Sequence, residues 1–404
     1  MYDAIVVGAR CAGSPTAMLL ARLGYRVLLL DKAGFPSDTL SSHYIHQPGV
    51  ARLKRWGVLD KVVASNCPPT RQVTFDVGPF ALTGSPPSAD GVACGYGPRR
   101  RVLDTILVEA AAEAGAQVRE HFTVTDLLMD GDRVKGIRGH TAGGAPVTEE
   151  ARIVIGADGL RSVVARAVQA PSYHEWPALT CAYYTYWSDV PVAGAELYPR
   201  PERMILAFPT NDERTLTIVW WPHAAFHEVR ADIAGHFMQA LDLAPTLAER
   251  IRNGKRSERF YGTADLPFFF RKPYGPGWAL VGDAGYHKDP ITAFGITDAF
   301  RDAELLAEAI DAGLSGKRPL EEALVDYERR RNEAALPSYE LTHQFAALSP
   351  PPPEMQQLFA ALCHNQEQTN RFFGAMTGTV PIPEFFAPEN IGRIMGAAVQ
   401  TEAI

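Results

Sequence analysis

Apolar residues along this chain fall into unbroken runs, alternating stretches and helical spacings, and each pattern predicts an element. Asp3-Ala4-Ile5-Val6-Val7 is a β-branched run without polar alternation, as expected of a strand covered on both faces of a parallel sheet. It leads into Gly8-Ala9-Arg10-Cys11-Ala12-Gly13, after which Ser14–Leu23 has helical spacing. Pro15 falls in the first turn of that helix, where a missing N–H costs nothing. Gly24-Tyr25 ends the helix, and Arg26–Leu30 predicts a second buried strand closing at Asp31. Two later runs, Arg152–Ile155 and Trp278–Val281, close in Gly156-Ala157-Asp158-Gly159 and Gly282-Asp283-Ala284-Gly285. The second is followed by a long helix from about Thr297 to Ala312. Further helices are predicted at Val102–Ala114, ended by Gly115, at Ala231–Arg252, and at Leu320–Ala335, ending near Pro337.

The region of about 171–270 reads as antiparallel strands. In Ala182–Trp187 the alternation puts Tyr184 and Tyr186 on one face and Tyr183 and Trp187 on the other. Leu216–Trp221 and Phe268–Phe270 add aromatic surface. Pro350–Pro353 predicts a stiff linker, and the tail from Glu354 a further helix followed by an irregular stretch holding Pro381, Pro383 and Pro388.

Composition narrows the class. With 404 residues, 46% of them hydrophobic, the chain is globular and long enough for two or three modules. It has no run of about 20 apolar residues for a membrane span, and Met1–Ile5 lacks a basic signal-peptide start. These features lead us to expect a soluble cytoplasmic protein. The formal charge of −7 excludes the basic footprint of a nucleic-acid binder. Five scattered cysteines with no CxxC pair read as free, mostly buried thiols, and no metal site is expected.

The first strand, helix and second strand form a βαβ unit of dinucleotide-binding length. Gly8 makes the tight turn and Gly13 lets helix and strand pack closely, while the helix-start N–H groups and dipole suit a pyrophosphate. Asp31 lies 18 residues after Gly13, close to where an acid accepts ribose hydroxyls. Arg10 stands where the motif has its middle glycine, so it either narrows the backbone's approach to the phosphates or supplies a charged contact.

Taken together, the glycine loop, Asp31, Arg100 with Leu103-Asp104, Gly156-Ala157-Asp158-Gly159 and Gly282-Asp283 resemble, over roughly residues 1–330, the FAD-dependent oxidoreductases of the para-hydroxybenzoate hydroxylase fold. That group includes aromatic hydroxylases, geranylgeranyl reductases and flavin-dependent halogenases. The resemblance implies an α/β fold: a Rossmann-like FAD-binding domain, an interleaved antiparallel-sheet substrate domain and a helical C-terminal segment. It implies FAD contacts from Gly8, Arg10, Ala12, Gly13, Asp31 and Lys32, with Asp31 on the adenosine ribose. Arg100 would approach the ribityl-phosphate region and the Val124 backbone the adenine. Asp158 would support the nucleotide site, Gly282 and Asp283 would meet the ribityl or pyrophosphate, and the Gly295-Ile296 amides would face the flavin N1/O2 edge.

Residues 1–64, 99–170 and 271–335 are expected to form the FAD domain, 65–98 and 171–270 the substrate sheet, and 336–404 a helical cap. Where halogenases carry a Trp-x-Trp-x-Ile-Pro segment this chain has Met204–Pro209, and no lysine occurs between Lys61 and Lys135, so halogenation is disfavoured. The leading expectation is a monooxygenase that oxidises a small aromatic or polycyclic molecule with O2 and NAD(P)H, through a flavin hydroperoxide. The alternative is a C=C reductase of the geranylgeranyl type, with a non-catalytic flavin-binding protein behind both. His287 and His43 are candidate bases; Tyr184, Tyr186, Phe208 and Pro290 are candidate substrate contacts. With no second glycine fingerprint, NAD(P)H would bind transiently, or a partner flavin reductase or ferredoxin would supply electrons. The protein is expected to be a monomer or homodimer.

Overall fold

The computed structural model describes residues 1–402. The predicted βαβ unit is present as β1 (Tyr2–Val7), α1 (Gly13–Arg22) and β2 (Val27–Leu30). β1 is the centre of a parallel sheet in the order Trp278–Leu280, Val147–Gly156, β1, β2, Gln117–Arg119. Its apolar residues are buried on both faces, which is why the sequence runs hydrophobic without alternation. Register decides what happens at the strand ends: Val7 pairs with Gly156 and with Leu30, and Gly156 pairs with Leu280. The turns that follow these strands, beginning at Gly8, Asp31, Ala157 and Val281, therefore emerge along one edge, where ligands bind in open α/β sheets.

A second sheet is built from Thr180–Ser188, Arg214–Pro222, Arg203–Thr210 and Ala195–Arg200, all antiparallel. Val73–Asp76 and Ala81–Gly84, from far earlier in the chain, extend it, with Val73–Asp76 parallel to Ala195–Arg200. The alternation holds: Tyr184 and Tyr186 face the apolar core between this sheet and the rest of the molecule, while Tyr183 and Trp187 face the helices at residues 226–253. Among the described residues no helix is long and apolar enough to cross a membrane.

α2 (Gly295–Leu314) follows the last parallel strand, and α3 (Leu320–Ala346) packs along it. α3 does not stop near Pro337. Losing one backbone hydrogen bond and accommodating the ring costs about 3 kcal/mol. The extra turns bury Tyr339 completely, stack it on Trp176 with centroids 5.0 Å apart, and place Ser338 and Thr342 inside the molecule. Tertiary packing outweighs the local break.

The single helix expected at Ala231–Arg252 is instead Ile233–Leu241 and Pro245–Asn253. Asp232 leaves the helical region and caps the first by accepting from the Gly235 amide at 2.9 Å, and Pro245, lacking an N–H, starts the second. The tail is helical rather than irregular, with helices at Pro353–Leu362, Gln366–Thr377, Ile382–Phe385 and Pro388–Glu402. Pro381, Pro383 and Pro388 sit at or just inside helix starts, where no donor is needed. These helices bury Phe359, Phe372 and Phe385 against Phe75 and Leu82 of the second sheet.

Phe372, 2% exposed in that cluster, makes the joint testable. Phe372→Ala is expected to lower the unfolding free energy by about 3–5 kcal/mol in urea titrations followed by tryptophan fluorescence. A loss below about 1 kcal/mol would show that the tail is not packed as described.

Candidate functional site

A cavity of about 810 Å³ follows the carboxyl edge of the parallel sheet, from Asp31, Lys32 and Val124 at one end to Gly295 and Ile296 at the other. Its narrowest structural demand is at the glycine loop. A Cβ on Gly8 (φ +103°) would stand 2.4 Å from the Ala157 carbonyl oxygen, and one on Gly13 only 1.7 Å from that of Gly8. Asp31 fixes both flanks of the turn: its Oδ2 accepts from the Ala9 amide and its Oδ1 from the Ala33 amide, each at 2.8 Å. A carboxylate has about four lone-pair sites, so Asp31 keeps capacity for hydroxyls. Gly282 (φ +61°) approaches the loop from the other side, its notional Cβ 2.7 Å from Ala12 Cβ.

Charge beside the loop is unbalanced. Asp104, with 0% exposure, accepts from Arg10 Nη1 at 2.5 Å and from Arg100 Nε at 3.0 Å, so two cations share one anion against the cavity. Arg10 also donates to Ser37 Oγ at 3.0 Å, turning it along the wall rather than across the slot. Asp283 is an exposed carboxylate on the same wall. Asp158 lines the cavity, yet its oxygens accept from the Ser162 hydroxyl (2.5 Å) and the Val163 amide (2.6 Å), capping the Val163–Ala167 helix; burial pushes its carboxyl up. At Gly295 nothing lies within 4 Å of a notional Cβ, so the amino end of α2 opens onto the cavity with its first-turn amides and positive dipole. The loop amides, shared cations, ribose-competent acid and open helix end fit an elongated anionic dinucleotide carrying a planar ring.

At the α2 end the wall changes character. Leu40, Ala182, Tyr184, Ile218, Leu266 and Pro290 face the cavity with the polar run His287-Lys288-Asp289. His287 Nδ1 donates to the Pro267 carbonyl at 2.5 Å, which leaves Nε2 as the ring's acceptor. Asp289 is buried, accepting from the Thr180 hydroxyl and from the Ile291 amide at 2.9 Å, and burial pushes its carboxyl up to about 6.

Tyr184, Pro290 and His287 thus reach the wall, whereas His43, Tyr186 and Phe208 are not among its lining residues. His43 (φ +58°) is fully buried and hydrogen-bonded through Nε2 to the Tyr186 hydroxyl; burial first, then Arg100, pushes it down to about 3. Tyr186 lies under the Arg99 guanidinium at 3.9 Å, and Phe208 packs on Tyr44 at 5.3 Å. All three side chains are buried off the cavity lining, in contrast to Tyr184, Pro290 and His287. Gly13 is packed tightly against Gly8 and Ala157 and is not part of the cavity lining.

Sequence reading missed Thr39, Leu40, Asp298 and Asp302, which line the cavity; Ser41-Ser42 and the polar run His287-Lys288-Asp289, expected near the flavin, line it as well. Asp298 and Asp302 gave no signal, since they lie off the apolar face Ile296, Ala299, Phe300 and Ala303 and read as a solvated face.

The model of the FAD binding domain family matches residues 1–338. The digeranylgeranylglycerophospholipid reductase of Methanosarcina acetivorans is 29% identical over 352 residues, covering 82% of this chain and 81% of that protein. Two solved structures share the fold. One is the myxobacterial chondrochloren halogenase CndH (TM-score 0.79, 22% identity, 98% of this chain and 96% of that one). The other is PqsL, a probable FAD-dependent monooxygenase from Pseudomonas aeruginosa (TM-score 0.71, 20% identity, 92% and 98%).

Replacing Asp31 with Ala is expected to weaken FAD binding at least tenfold, on the order of 1.4 kcal/mol, and riboflavin binding much less, because only the dinucleotide carries an adenosine ribose. Equal losses in fluorescence titrations would contradict that assignment. Asp289 gives a pH test. A carboxyl whose folded value is raised stabilises the protein fully below its unfolded value near 4, and that contribution disappears as pH rises through about 6. Wild type should therefore lose up to about 3 kcal/mol over that interval, and Asp289→Asn should not, as urea titrations at each pH would reveal.

Proposed function

The chain belongs to the FAD binding domain family, and from that membership we propose a flavin-dependent monooxygenase that oxidises a small aromatic or polycyclic molecule with O2 and NAD(P)H. The observation that supports this reading is the wall at the α2 end, where apolar side chains and the Tyr184 ring line the cavity beside a histidine acceptor. FAD, when bound, supplies the electron and oxygen chemistry. In this reading Asp31 meets the adenosine ribose, Arg10 and Arg100 face the phosphates, Asp283 the ribityl-phosphate region, and the Gly295-Ile296 amides the ring edge.

The protein's own work is then positioning and exclusion. Leu40, Ala182, Ile218 and Leu266 exclude water from the space beside the helix end, and Tyr184 orients a planar ring by stacking or edge contact. His287 Nε2 takes a proton from a substrate hydroxyl, its ring held by the Pro267 carbonyl and stacked on Phe269 at 5.8 Å. We assign residues 1–64, 99–170 and 271–335 to FAD binding, 65–98 and 171–270 to the substrate sheet, and the remainder to a cap. NAD(P)H reduces the flavin by transient binding.

A second reading, reduction of C=C bonds in a lipophilic substrate, is favoured by the similarity to archaeal reductases across four-fifths of the chain. The two are separated by identifying the released cofactor by absorption and mass spectrometry, then screening oxygen uptake over phenolic compounds. Substrate-dependent uptake with an oxygenated product supports the monooxygenase; saturation of prenyl double bonds under anaerobic reduction supports the reductase. His287→Ala should lower kcat for a phenolic substrate by about 10²–10⁴ with flavin content unchanged, and the rate should recover as pH rises toward the substrate's own ionisation. An undiminished rate would remove His287 from the reaction.

A further inference from the structure

Lys288 is a buried ammonium, 4% exposed at its side chain, in a segment that lines the cavity. Such a charge is costly unless paired. Its Nζ donates to Asp298 Oδ2 at 2.9 Å and to Ser338 Oγ at 2.7 Å, and lies 5.2 Å from the Tyr286 ring centre and 4.9 Å from that of Phe294. Phe294 immediately precedes Gly295, so the ammonium stands at the open amino end of α2. Asp298 does not belong to Lys288 alone: its Oδ1 accepts from Arg301 at 2.7 Å and its Oδ2 from the Tyr286 hydroxyl at 3.3 Å. Arg301 in turn reaches Asp302.

The network is not closed from within. Arg301 Nη2 reaches Asp302 Oδ1 at 2.8 Å, while Asp302 Oδ2 is buried without a hydrogen-bond partner. Arg331, 1% exposed, donates only to the Gly285 and Arg271 carbonyls, the Tyr173 hydroxyl and Asn332 Oδ1, with Glu328 held on the far side of Tyr173. Asp289, hydrogen-bonded to Thr180, is a further carboxylate beside Lys288, and His46 Nε2 donates to the Thr292 carbonyl. Lys288 and Arg301 therefore share Asp298 and Asp302, Asp283 and Asp289 add carboxylates on the same wall, and the α2 dipole adds positive sign at the helix end where the ammonium stands. An ammonium fixed at a helix amino end beside a cavity, with its carboxylate shared with a second cation, favours negative charge placed next to it.

We propose that Lys288 supplies the positive charge that stabilises the reduced form of the bound flavin, with Asp298 and Ser338 holding the ammonium in place. The inference rests on the FAD reading above. Reduction by two electrons from NAD(P)H adds negative charge to the ring, and a cation at the α2 end binds that form more tightly than the oxidised one. A purely structural Lys288, tying α3 to the cavity floor through Ser338, would leave this preference untouched.

The test is the midpoint potential of the purified holoprotein, measured by dye-coupled reduction. Lys288→Met is expected to weaken binding of reduced relative to oxidised flavin at least tenfold, a fall of about 30 mV for a two-electron couple. Lys288→Arg is expected to keep the wild-type potential. Should Lys288→Met not fold, Lys288→Gln, which keeps a hydrogen-bonding head, takes its place with the same expectation. A neutral variant with full flavin content and wild-type potential would overturn the inference and leave the FAD reading intact. Wild-type protein unable to bind FAD would overturn the FAD reading itself.

Discussion

At Gly8 and Gly13 the turn after β1 folds back on itself until there is no room for one carbon atom, the notional Cβ atoms falling 2.4 and 1.7 Å from carbonyl oxygens of Ala157 and Gly8. That closeness seats the first turn of α1 directly against the strand that ends at Gly156. Asp31 can then hold both flanks of the turn through the Ala9 and Ala33 amides, and Gly282 can approach Ala12. A side chain at either glycine would open the turn, and the loop amides would no longer face the slot that the other strand ends complete.

Charge is arranged with the same economy. At the loop two guanidiniums share Asp104, and at the far end Lys288 and Arg301 share Asp298 and Asp302. Both clusters lie in a molecule whose overall charge is negative. Cations and carboxylates alternate along the cavity, with Arg10, Arg100 and Lys288 set where phosphates and a reduced ring would stand. Asp158 illustrates the converse: a carboxylate at a strand end whose oxygens are taken by Ser162 and Val163 serves the turn first.

The α3 helix links these features to the fold. By continuing through Pro337 it delivers Ser338 to Lys288 and Thr342 to Thr292, the residue closing the turn before α2. Arg331, two turns earlier, grips the Gly285 carbonyl beside the Asp283 turn. One helix thus supports most of the segment Gly285–Thr292, and the local penalty at the proline is offset by packing spread over several turns.

The sequence by itself determined the parallel strands, the glycine turn, Asp31 and the strand-end motifs, because each depends on neighbours within a few residues: a β-branched run, a positive φ, a helix start. It also determined the face alternation of Tyr184 and Tyr183, which follows from the strand's period of two. Only the tertiary structure decided which of those faces meets the cavity, and it buried Tyr186 against Arg99 and His43, and Phe208 against Tyr44, away from the cavity lining. It also decided that α3 survives Pro337, that prolines 381, 383 and 388 begin helices, and that Asp298 and Asp302 face inward. In each case the deciding energy comes from partners far away in the chain, such as Trp176 on Tyr339 or Lys288 on Asp298, and no local pattern encodes a partner that distant.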